Sequence, residues 1–185
     1  MDFSFLSPVQ DQLVDQLELQ HSQTIGKKLR IHSATIEPNL EGVKMAIVGV
    51  LETRNSVDYI GEEFQLHEIR KAFYKLFPGN WPLNMVDLGD IQRGETVEDT
   101  YFALTKVVSS LIKNNIIPIV IGGSQDLTYA NYRAYDKISS MINIVNIDKS
   151  FDLGDSSKPI NNGSFLGKII LEQPYNLFNY TALGF

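Results

Sequence analysis

The sequence predicts an α/β fold on a mostly parallel sheet, and three observations carry the prediction. Short apolar, β-branched runs at 43–50, 116–121 and 141–147 read as buried strands. Segments of helical period lie between them. Gly, Pro, Asn and Asp cluster at the junctions, where turns are needed. Strands alternating with helices are what parallel pairing through crossover connections requires.

Taken in order, Ser7 and Pro8 read as a helix cap and a first-turn proline, with Val9, Leu13 and Leu17 on one stripe. Residues 21–42 have weak periodicity and read as loop, with a short strand around Ile25 to Ile31. Val43 to Val50 is the first central strand. Gly61 precedes a helix whose Leu66, Ile69, Phe73 and Leu76 share a face, ending before Pro78 and Gly79; Glu62, Glu63, Glu68 and Lys71 fall on the exposed side. Asn84 to Leu88 is a second strand, closed by Gly89 and Asp90. Thr96 caps the next helix, with Glu98 and Asp99 in the favourable first turn and Tyr101, Leu104, Val108, Leu111 and Ile112 on one face. Ile116 to Ile121 is continuously apolar and β-branched, as expected of a strand buried on both faces, although Pro118 requires an edge or a strand start. Gln125 to Asp136 reads as a helix, and Met141 to Ile147 as another buried strand that runs into Asp148. The loop from Lys149 to Ser164 is longer than the usual connection and is expected to bind something. A helix over Gly163 to Leu171 and a strand over Tyr175 to Leu183 complete the chain.

At 185 residues the chain fits one domain, or the N-terminal portion of a larger one, with 1–42 as leading helix and loop and 43–185 as the α/β core. Sixteen basic against 22 acidic residues leave a net charge of -6, so no nucleic-acid partner is expected. Having no cysteine excludes disulfides, thiolate metal sites and cysteine nucleophiles within this sequence. No apolar run approaches the roughly 18 residues of a membrane span, and the first residues lack a signal-peptide pattern. A soluble cytoplasmic protein with no membrane partner is the expectation.

Ligands of open α/β sheets bind beyond the carboxyl ends of strands. Two such ends are polar here: Gly122-Gly123-Ser124-Gln125-Asp126, and Asp148-Lys149-Ser150-Phe151-Asp152. Continued strand geometry would put Asp148, Ser150 and Asp152 on one side, and paired carboxylates suit a hard cation. The alternative is that both aspartates only cap the loop or face solvent. Gly122, Gly123 and Ser124 could form an anion-binding turn, with Asn161 and Asn162 as further candidates in the long loop; more simply, the glycines make a tight strand-to-helix turn. His21, His32 and His67 are scattered and read as surface or core residues. Tyr129, Tyr132 and Tyr135 read as packing.

Five segments together resemble a known family: Ile47-Val48-Gly49-Val50; Gly61 with Ile69-Arg70; Asp87-Leu88-Gly89-Asp90; Ile119-Val120-Ile121-Gly122-Gly123; and Asn146-Ile147-Asp148 with Asp152. Their order and spacing over 43–155 are similar to the N-terminal half of the ureohydrolases, the arginase, agmatinase and formimidoylglutamase family. The resemblance implies a three-layer α/β/α fold and hydrolysis of a guanidine or amidine carbon–nitrogen bond by water held between two manganese ions.

It also implies a Gly-Gly-x-His motif and an Asp-x-His-x-Asp run as metal ligands. Here Gln125 and Ser150 stand at the two histidine positions, while Asp148 and Asp152 remain. The family's later Asp-x-Asp pair belongs to a strand this sequence does not contain, and Leu166-Gly167 stands where a His-Gly is usual. Amide and hydroxyl oxygens are weak partners for a first-row metal. The expectation is therefore a non-catalytic relative with no cofactor at full occupancy, serving binding, assembly or regulation. Two alternatives stay open: an active hydrolase binding one Mn or Mg ion and completed by a C-terminal half, and an α/β module for a small polar ligand. Partners are expected to be further copies, a complementary C-terminal half, or a small amidine or guanidine.

Overall fold

The computed structural model describes residues 2–57, 65–136, 138, 141–155 and 157–184. The positions of Gly61, Glu62 and Glu63, assigned above to a helix start and its exposed side, lie outside them. The chain divides into two compact units. The first comprises Met1–Leu51, Glu63–Arg93 and Ser110–Gly122; the second comprises Glu52–Glu62, Gly94–Ser109 and Gly123–Phe185.

The first unit is a mixed, mostly parallel sheet. Its strands are β1 (Leu6–Ser7), β2 (Arg30–Ile31), β3 (Met45–Val50), β4 (Met85–Ile91) and β5 (Ile117–Ile121), in the order β1-β4-β3-β5 with β2 also on β4. Only β1 runs antiparallel. Ala46, Ile47, Val48 and Val50 of β3 and Val86, Leu88 and Ile91 of β4 are buried, as continuous β-branched runs require of central strands. Pro118 lies on β5, whose one described strand partner is β3, so its missing N–H is tolerated at an edge.

The start of the chain differs from the sequence reading. Ser7 does not cap a helix; Leu6 and Ser7 pair with Ile91 and Asp90, and helix α1 (Asp11–Leu17) begins later. The Val9, Leu13 and Leu17 stripe is buried as expected, packing with Tyr74. The region read as a short strand at 25–31 is a helical turn, α2 (Ile25–Lys28), followed by β2. Helix α3 (Leu66–Tyr74) buries Leu66, Arg70 and Tyr74, spaced by four, while Ile69 and Leu76 are exposed. A buried arginine replaces the apolar stripe expected there.

Helix α4 (Val97–Lys113) belongs to the second unit through Ser109. Thr96 caps it as the sequence indicates: Thr96 Oγ1 accepts from the Asp99 N–H at 3.1 Å, and Asp99 accepts from the Thr96 N–H at 2.8 Å, a reciprocal box. The second unit continues with α5 (Leu127–Arg133), β6 (Ile142–Ile147), α6 (Phe165–Leu171) and β7 (Leu177–Leu183), with β6 and β7 forming a parallel pair. Tyr132, Phe165, Leu166 and Ile169 form its core against Ile142, Ile144, Leu177 and Tyr180. Among the described residues only that face of β6 is covered, so the strand is half-buried; β5 likewise is not buried on both faces, Ile117 being exposed and the rest half-buried. Its Asn143, Val145 and Ile147 are exposed.

Helix α6 approaches the preceding loop so closely that a Cβ on Gly167 would lie 2.2 Å from the Leu153 carbonyl oxygen. Gly167→Ala is expected to lower stability by about 1–3 kcal/mol, the usual cost of overpacking. A urea titration followed by circular dichroism measures it.

Candidate functional site

Beyond β5 the chain turns at Gly122 (φ 93°) and Gly123 (φ 71°), left-handed conformations that glycine adopts without strain. The turn delivers Ser124, Gln125 and Asp126 to the start of α5. Ser124 is held internally: its N–H donates to the Glu52 carbonyl at 2.9 Å, and its hydroxyl donates to Asp126. Asp126 is fully buried and also accepts from the Tyr101 hydroxyl. That hydroxyl in turn accepts from Asn55 Nδ2 at 3.2 Å. Burial, the Asp126 hydrogen bond and its charge all push the Tyr101 phenol well above its ordinary value, so it stays a donor.

Glu52, directly after β3 and its neighbour Leu51, is likewise fully buried. Arg54 grips its carboxylate through Nε at 2.9 Å and Nη2 at 2.5 Å, and Thr100 Oγ1 donates at 3.0 Å. Burial raises the Glu52 carboxyl, but these hydrogen bonds outweigh it and hold the group below its ordinary 4.5. A carboxyl depressed by folding contributes stability above its unfolded value and loses it as pH falls through the folded value. Glu52→Gln is therefore expected to flatten the acid limb of stability below about pH 4.5, read from thermal midpoints across pH 2–7.

Gln125, at the first candidate metal position, is committed to neighbours. Its Nε2 donates to Asn146 Oδ1 at 3.1 Å, and Asn146 Nδ2 donates to the Tyr180 hydroxyl at 3.0 Å. Strand geometry does not persist past β6: residues 148–150 bend, and Asp152 takes a left-handed φ of 50°. Asp148 and Asp152 nevertheless interact. Burial raises Asp148, but the Gln125 side chain and the Lys149 N–H, bonded at 2.6 Å, hold it below the usual carboxylate range. Asp152 shifts upward, first through burial and further through the Asp148 charge, against an opposing 2.6 Å hydrogen bond from Ser150 Oγ.

Asp152 is 8% exposed, and its Oδ2 is a buried oxygen without a hydrogen-bond partner. One orphaned oxygen is compatible with a single hard cation. A manganese pair needs more: among the described residues, no group of three His, Cys, Asp or Glu is arranged to hold a metal. The remaining loop candidates are engaged in structural hydrogen bonds, one local and one long-range. Asn161 Oδ1 accepts from the Gly163 N–H at 2.9 Å, and Asn162 Oδ1 accepts from the Val57 N–H at 2.9 Å.

The histidines lie elsewhere. His32 is a core residue whose Nδ1 bonds the Leu88 carbonyl at 2.9 Å, and His67 lies beside Glu68 on an exposed surface. Tyr129 and Tyr132 pack as expected, with Arg133 stacked on both rings. Sequence reasoning did not single out Glu52, placed Asp126 only within a polar strand end and read Tyr101 only as a packing residue, since a buried carboxylate reads as a surface charge until all its donors are known. No helix among the described residues is long and apolar enough to cross a membrane.

A model of the arginase family matches residues 43–185. Formimidoylglutamase from Staphylococcus epidermidis is 30% identical over 128 residues, covering 68% of this chain and 40% of that protein. Formimidoylglutamase from Streptococcus gordonii is 30% identical over 166 residues, covering 80% and 49%. Among solved structures, formimidoylglutamase from Bacillus subtilis superposes with a TM-score of 0.67 at 16% identity, over 80% of this chain and 50% of its own. Trypanosoma cruzi formiminoglutamase with Mn2+ superposes at 0.69 and 18% identity, over 87% and 58%. The chain spans about half the length of the curated relatives it matches. At these identities the superpositions establish the shared α/β fold.

Proposed function

The chain belongs to the arginase family, and from that premise we propose that it keeps the family scaffold for binding, assembly or regulation without turning over a substrate itself. One observation carries the proposal. At the two strand ends where the resemblance calls for imidazoles stand Gln125, whose amide is bonded to Asn146, and Ser150, whose hydroxyl is bonded to Asp152. The donor set that remains is oxygen alone. It does not fit a pair of first-row cations, which imidazole would hold far more firmly.

The test uses the purified chain. Metal content is measured after incubation with manganese, together with release of urea, ammonia or formamide from arginine, agmatine and formimidoylglutamate. Neither stoichiometric manganese nor turnover is expected. Manganese-dependent turnover would overturn the proposal.

A second reading is favoured by the orphaned Asp152 Oδ2: one hard cation on Asp148 and Asp152, in a hydrolase completed by a further half like that of the longer relatives. On that reading Asp148→Ala and Asp152→Ala abolish activity. Full activity in both variants would remove it.

A further inference from the structure

We propose that the first unit carries a binding site for a small primary alkylammonium ion, in the cavity between the start of α1, the first turns of α3 and the carboxyl ends of β3 and β4. The cavity measures about 180 Å³, and its lining joins two charged side chains, Asp90 and Arg70, to four apolar ones, Val9, Leu13, Leu51 and Leu66. Drug-sized sites begin at roughly 300 Å³, so this one suits a molecule of a few heavy atoms.

The charged pair is seated by the fold. Gly49 of β3 leaves the room for it, since a Cβ there would overlap Asp90 Oδ1 and lie 3.0 Å from Arg70 Nη2. Arg70, its side chain 3% exposed, fixes Asp90 Oδ1 at 2.6 Å, while Asp90 is 17% exposed and its Oδ2 accepts no hydrogen bond from any described residue. The same guanidinium also answers the enclosed Asp87, so one cation faces two carboxylates and one negative charge is left over. Arg70 is the one lysine or arginine among the described lining residues, and the surplus therefore falls at Asp90 Oδ2.

A primary ammonium on a short alkyl stem meets each of these features. Its head is compact and carries three donors, of which Asp90 Oδ2 can take one and the side-chain carbonyls of Gln10 and Gln65, on the same lining, the others. Its methylenes lie against valine and leucine, as the stem of a lysine does on an apolar surface. An anion would meet the surplus negative charge, and a neutral alcohol would form a hydrogen bond about half as strong as the charge-assisted one. The site uses none of the strand-end residues of the second unit and stands whether or not they hold a metal.

The test titrates n-butylammonium chloride into the isotopically labelled 185-residue chain at constant ionic strength, following amide chemical shifts. Saturable binding is expected with a Kd on the order of 1 mM, the strength open to a ligand of about five heavy atoms, and with shifts centred on 9–13, 65–70 and 90. n-Butanol and butyrate should each bind at least about tenfold more weakly. Asp90→Asn keeps the shape and an acceptor for Arg70, and should weaken butylammonium at least about tenfold. Gln65→Trp, at an exposed lining position, should block entry without altering the charged pair, which keeps the test decisive if the asparagine variant fails to fold. Glu18→Gln, which removes an exposed carboxylate elsewhere in the unit, should leave binding unchanged. Butanol binding as tightly as butylammonium, shifts that spread over surface carboxylates without saturating, or undiminished affinity in either folded site variant would each overturn the proposal.

Discussion

Arg70→Ala is expected to destabilise the protein by about 3–5 kcal/mol, the cost of leaving a buried carboxylate without its cation. Arg70 is buried on α3 and directs its guanidinium at the end of β4. Its Nε donates to Asp87 at 2.8 Å, one Nη to Asp90 at 2.6 Å, and the other to Asp87 at 3.1 Å and to the Gly89 carbonyl at 2.9 Å. Asp87 is fully buried and also accepts from the Tyr74 hydroxyl at 2.8 Å and the Gly89 N–H at 2.9 Å. Burial opposes the Arg70 charge, but the two aspartates more than offset it and raise the guanidinium further above its ordinary value.

The alanine variant leaves Asp87 with two neutral donors in a dry site. The thermal midpoint should fall on the order of 10 °C, at roughly 2–4 °C per kcal/mol for a chain of this size. Tyr74→Phe removes one donor and should cost about 1–3 kcal/mol. Chemical denaturation of the two variants ranks them. Equal, negligible losses would mean that water reaches the cluster.

Gln125→His combined with Ser150→His is expected to raise manganese affinity by at least about 10–100-fold, the range already commanded by groups that only support a metal ligand. The substitutions add imidazoles beside Asp148 and Asp152, where the orphaned Asp152 oxygen is already available. Each single variant should give part of the gain. Calorimetric titration measures it, with Asp152→Asn in the double-histidine background as the control that removes it. If the double variant binds no better than the parent, weak donors are not what limits metal binding.

Much of the fold was legible because periodicity reports burial. The runs MAIVGV and IPIVI announce β3 and β5, and the Thr96 cap with Asp99 announces α4. The stripe on α3 was misread for a physical reason. Leu66, Ile69, Phe73 and Leu76 satisfy a helical period, but the buried spacing is Leu66, Arg70 and Tyr74, since Asp87 and Asp90 make a guanidinium welcome inside. Nothing local to α3 carries that information; it depends on carboxylates 17 and 20 residues away. β6 is apolar on both faces in sequence, so the pattern could not reveal that only the Ile142 and Ile144 side is covered.

The candidate site divides along the same line. Asp148 and Asp152 were legible because they follow a recognisable strand, and Gly122 and Gly123 because a turn was needed there. Asp126 was legible only as part of a polar strand end, and Glu52 not at all: each has one donor two residues away, Ser124 and Arg54, but the burial of both depends on α4, where Tyr101 and Thr100 lie 25 and 48 residues distant.

A titration of the purified 185-residue chain with Mn2+, following free metal by electron paramagnetic resonance, addresses the oxygen-only site most directly. The expected result is no saturable binding at micromolar metal, with the free-ion signal growing in proportion to addition. Uptake of two ions per chain before free signal rises would contradict it, because Asp148, Ser150, Asp152 and Gln125 would then suffice to hold the pair.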